Sequence, residues 1–63
     1  MSTRAEIWDT ARDLLRDKAD RAEAECDARE EQARAEGDLL DANSWFHIRH
    51  AIGRLRRGER RPE

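Results

Sequence analysis

The sequence predicts an all-α helical hairpin, and three observations predict it. Residues 3 to 36 contain no glycine or proline and are dominated by alanine, arginine and glutamate, which are strong helix formers. Glu36-Gly37-Asp38 then supplies a glycine suited to the left-handed position past a helix end and an aspartate suited to cap the next helix. After it, Leu39, Ala42, Trp45, Ile48, Ile52 and Leu55 recur at spacings of three and four, the signature of one apolar helix face.

The first helix is expected over 3–36. Thr3-Arg4-Ala5-Glu6 has the capping-box form, in which threonine and glutamate reciprocally satisfy backbone amides left open at a helix start. Trp8, Ala11, Leu15, Ala19, Ala22, Cys26 and Ala33 trace a narrow stripe along it, widened by Ile7 and Leu14. Small side chains on that stripe let a neighbouring helix come close.

The second helix is expected over 38–57, capped by Asp38 and ended by Gly58 and Pro62. Leu40, Phe46 and Ala51 flank its stripe. Asn43-Ser44 is an alternative start, but Leu39 and Ala42 already fit the periodicity. Gly53 costs about 1 kcal/mol against alanine inside a helix, and the expected reason for it is close approach of a neighbour. Residues 58–63 read as a disordered basic tail.

The two helices differ in length, roughly 50 Å against 30 Å, so Ile7, Trp8, Leu14 and Leu15 need cover. A break near Asp17-Lys18-Ala19-Asp20 would fold the chain as a three-helix bundle. A straight hairpin would instead dimerise, each long helix covered by its partner. The lack of glycine or proline at the break favours the straight hairpin. Trp8, Leu15, Leu39, Trp45, Ile48, Ile52 and Leu55 are the expected core and association residues.

Composition restricts the rest. Sixty-three residues, 44% of them charged and 37% apolar, make one small domain that buries only about 60% of its unfolded surface. The single cysteine excludes an internal disulfide, and no Cys/His cluster has zinc-site spacing. Helix packing and oligomerisation remain as sources of stability. No apolar run approaches the roughly 18 residues of a membrane span, and Met1-Ser2-Thr3-Arg4-Ala5-Glu6 lacks the apolar core of a secretory signal. A cytoplasmic protein without membrane contact is expected, and a lone cysteine fits a reducing compartment.

The stretch Arg34-Ala35-Glu36-Gly37-Asp38-Leu39-Leu40, with Trp45, Ile48, Ala51, Ile52 and Leu55 after it and Glu6-Ile7-Trp8 before it, resembles a group of small all-helical proteins from alphaproteobacteria. The resemblance spans most of residues 6 to 57 and implies a helical fold. It implies no activity, because the group has none assigned. The chain departs from the group at Asp17 to Asp20, where others often carry a glycine-containing break; this weighs against the three-helix arrangement.

Nothing in the sequence points to catalysis. His47 and His50 share a helix face, but two imidazoles are not a metal site, and Ser44 stands where a Glu-x-x-His element would need its acid. Cys26 lies in Glu23-Ala24-Glu25-Cys26-Asp27, where carboxylates raise a thiol pKa and disfavour a nucleophile; it reads as a small core residue. The carboxylates interleave with arginine at helical spacing, as in Arg12 and Arg16 with Asp9 and Asp13, or Arg34 with Glu30 and Glu31. Such pairs read as solvated ion pairs of about 0.3 to 0.5 kcal/mol each. No enzyme and no cofactor is expected.

Charge is unevenly distributed. Residues 1–44 carry 7 basic and 13 acidic groups (−6), residues 45–63 carry 6 and 2 (+4), and the sum is the overall −2. The expected function is that of a non-enzymatic interaction or regulatory module acting through a self-associating hairpin, its partner a second copy or another protein. The alternative is a nucleic-acid-binding accessory protein whose Arg49, Arg54, Arg56, Arg57, Arg60 and Arg61 contact phosphates. The overall acidity and the lack of a nucleic-acid-binding motif place it second.

Overall fold

The computed structural model describes residues 4–58. These are all α-helical apart from short turns, with no strand among them, and two arms, 4–35 and 39–56, pack as a hairpin. The expected cap at Thr3 and the contacts of Arg60 and Arg61 lie outside the described residues.

The hairpin turn follows the sequence closely. Gly37 adopts φ +77°. Its N–H donates to the Arg34 carbonyl at 3.0 Å and the Asp38 N–H to the Ala33 carbonyl at 2.8 Å, the paired bonds of a Schellman ending. Asp38 then begins the next helix, its Oδ1 accepting from the Asp41 N–H at 3.0 Å. The second arm also ends in a left-handed glycine: Gly58 has φ +86° and its N–H donates to the Leu55 carbonyl.

The first arm is not the straight helix that the sequence favoured. It consists of α1 (Arg4–Lys18), a 3-10 turn at Ala19–Arg21 and α2 (Ala22–Ala35). A continuous helix over 4–35 would measure about 48 Å, whereas the longest dimension of the molecule is 33 Å. The arm is folded over at the position where the alternative break was placed. No glycine marks it: Ala19 itself takes φ +47°, a conformation that costs an L-residue roughly 1–2 kcal/mol. Leu39–Arg56 forms α3, which packs against both α1 and α2, while those two touch each other far less.

The fold-over supplies the missing cover. Trp8, Ala11, Ala22, Cys26, Ile48, Ala51 and Ile52 form one buried cluster, with Ile7, Leu14, Leu15, Trp45 and Leu55 packed partly buried against it. The core is small-bodied: Ile52 and Cys26 are its largest fully buried side chains. Ala19 leaves the expected stripe at the bend and is exposed. Glu30, expected to be solvated, is buried and pairs with Arg34 at 2.5 Å.

Candidate functional site

α3 lies between two neighbours and has three surfaces. Ile48, Ile52 and Leu55 point into the cluster between α1 and α2. On the α2 side, Arg49 pairs with Asp27 at 3.1 Å and Arg56 with Glu23 at 2.6 Å, and Arg29 sits over the Trp45 ring at 5.3 Å. On the α1 side, Arg54 sits over the Trp8 ring at 5.4 Å. The third surface faces away from both.

That third surface carries Leu39 and Phe46, while Leu40 is exposed beside the start of α1. Leu39 is 71% exposed, Leu40 77% and Phe46 43%. Leu39 was expected in the core and is not in it: at 100° per residue it stands opposite Ile48, on the side of α3 that neither α1 nor α2 reaches. Phe46 shares this face with His50, whose ring meets it edge-on at 4.6 Å, and His47 approaches at 5.6 Å. Both histidines are exposed. Gly53 belongs to the same face, and the close neighbour expected for it is not found among the described residues. A Cβ built there would meet only the Arg57 Nη1, at 3.8 Å.

Beside this face, where the start of α1 crosses α3, lies an open groove of about 760 Å³ lined by Ile7, Trp8, Leu40, His47, Ala51 and Arg54 among others. Its lining mixes apolar side chains with the cations Arg4 and Arg54, the carboxylates Asp38 and Asp41, and the two histidines. Among the described residues no group of three or more His, Cys, Asp or Glu could hold a metal ion, and no helix is long and apolar enough to cross a membrane.

Cys26 is fully buried. Burial, reinforced by Asp27 and Glu25, raises its thiol pKa to about 11, so at neutral pH it is a protonated, shielded packing group rather than a nucleophile.

The arginines expected to contact phosphate are placed differently from one another. Arg49, Arg54 and Arg56 are held against their own chain by Asp27, Trp8 and Glu23, and Arg57, just past α3, brings its Nη1 back over Gly53. No family model, curated protein or solved structure matches the chain.

Proposed function

We propose that this protein is a non-enzymatic interaction module that works by self-association. One observation carries the reading: Leu39, Leu40 and Phe46, all bulky apolar side chains, stand exposed within a single stretch of α3, while five of the nine buried apolar residues are alanines. Exposed apolar residues clustered on one element mark an interaction site more often than chance placement does. The fold-over of the first arm covers Trp8 and Leu15 within the chain, so the association surface is this part of α3 rather than the length of the first arm.

Light scattering on the native protein at micromolar concentration tests the reading. The expected mass is twice the 7.4 kDa of one chain; a cooperative monomer at all accessible concentrations would remove it.

The nucleic-acid reading loses support on this geometry. A phosphate would have to displace Asp27 from Arg49 and Glu23 from Arg56, next to an acidic α2 that repels the same backbone. Retention of nucleic acid with a steep salt dependence, sensitive to Arg56→Ala and Arg57→Ala, would restore it.

A further inference from the structure

We propose that the bend at Ala19–Arg21 is a latched hinge, and that on release of the latch the first arm straightens and its α1 crosses to the α3 of a second copy. This exchange goes beyond the association through the outer face of α3 and does not depend on it.

The bend has no local determinant. Lys18, ahead of the 3-10 turn, and Arg21, ahead of α2, make no side-chain cap, whereas Asp38 caps α3. No glycine or proline stands between 4 and 36, so the positive φ falls to Ala19, where it is unfavourable for an L-residue. In one continuous helix that cost disappears, and the open amides at the start of α2 donate to carbonyls in the last turn of α1.

What holds the arm folded over is packing that a second copy can supply. α1 packs against α3 and far less against α2, and Trp8 and Ala11 join Ile48, Ala51 and Ile52 in the buried cluster. A straight arm carries Trp8 and Ala11 away from their own α3 and bares both surfaces. Two straight chains each hold what the other lacks, so mutual exchange of α1 remakes the same core. Each contact then occurs twice, as a closed two-fold assembly requires. The partner is thus defined by contacts already made within one chain.

Arg56 distinguishes the two forms. Its Nη2 donates to the Ala19 carbonyl at 2.6 Å. In a continuous helix that carbonyl takes the N–H of Glu23 instead and needs no side chain. The pair between Arg56 Nε and Glu23 joins α3 to α2, which the exchange leaves together. The bond to Ala19 is therefore the latch.

All test chains carry Phe46→Asp, which takes the outer face of α3 out of the outcome. Sedimentation gives mass and circular dichroism helicity. Spin labels at Ala5→Cys and Glu31→Cys in a Cys26→Ala background, with labelled chain diluted in unlabelled, give the shape of the arm. Both positions are exposed. A straight arm sets them about 39 Å apart, farther than the 33 Å longest dimension of the folded-over chain. With Arg56 in place the chain should be single and the distance short. Arg56→Ala should strengthen pairing by about 10-fold or more, and the pair should show the long distance. Adding Ala19→Gly should reverse the gain, since glycine relieves the bend and opposes a continuous helix. If Arg56→Ala loses helicity, Asp20→Ala decides: it raises helix propensity across the bend with the latch intact and should move the chain the same way. A helical Arg56→Ala chain that stays single at all concentrations, or pairs with the short distance, would overturn the exchange, as would Asp20→Ala chains that stay single in the other case. Single chains with Phe46 restored would remove association through the outer face alone.

Discussion

Arg56 binds the bend at Ala19 from the far end of the chain: its Nη2 donates to the Ala19 carbonyl at 2.6 Å while its Nε pairs with Glu23 at 2.6 Å. Thirty-seven positions separate Arg56 and Ala19, so one side chain holds the last turn of α3 against the junction of α1 and α2. The carbonyl it satisfies belongs to the residue with positive φ. The planar fork of a guanidinium makes both bonds at once in a fixed geometry, which the single nitrogen of a lysine reproduces less well.

Arg56→Ala should therefore destabilise the protein by about 1–2 kcal/mol, a charge-assisted pair reduced by its partial exposure. Arg56→Lys should recover only part of this. Thermal denaturation followed by circular dichroism measures both, and an unchanged midpoint for Arg56→Ala would show that the bend holds itself.

Ala19→Gly should stabilise, by up to about 1 kcal/mol. Glycine removes the steric cost of the left-handed conformation, and the greater freedom it gives the unfolded chain takes back part of the gain. Substituting glycine at neighbouring Ala22, which is buried and helical, should do the opposite. Chemical denaturation of the two variants gives the comparison.

The bend also marks the limit of what the sequence reveals. Both helix ends at Gly37 and Gly58, the Asp38 cap, and most of the stripe from Trp8 to Ala33 were legible, because capping chemistry and periodicity are local. The fold-over was not, because no residue at 17–21 dictates it. It is held by Arg56 and by burial of Trp8 and Ala11 against α3, contacts between distant positions. Leu39 misled for a different reason: three successive steps of three, from Leu39 to Ile48, add up to a half-turn, so a residue that fits each local spacing still ends opposite the core. The exposed face of α3 becomes visible only once α1 and α2 are in place.

Ile52→Ala should cost about 2–5 kcal/mol, since Ile52 is fully buried at the meeting of the helices and little around it can collapse into the space. Leu39→Ala, on the exposed face, should leave the stability of the isolated chain nearly unchanged. Equal effects of the two in urea titrations at low protein concentration would contradict the division between core and outer face.

Cys26 gives the protein a pH limit on the alkaline side. Its folded pKa of about 11 lies above the ordinary 9.0, so the unfolded chain loses the thiol proton first and the unfolded state is favoured as pH rises. Stability from this group is complete below pH 9 and is lost progressively up to about pH 11. At roughly 1.4 kcal/mol per tenfold change in proton activity, the loss is about 2–3 kcal/mol. Comparing Cys26→Ala with the wild type from pH 7 to 11 isolates it: the wild type should fall more steeply, and parallel curves would show that the thiol is not shielded.

If folded chains associate as proposed, mass action must add to their stability. The most direct measurement is the thermal midpoint as a function of chain concentration, from about one to several hundred micromolar, with mass determined in the same samples. The midpoint should rise steadily with concentration in the wild type and much less in Phe46→Asp. A midpoint independent of concentration, with the mass of one chain throughout, would contradict self-association.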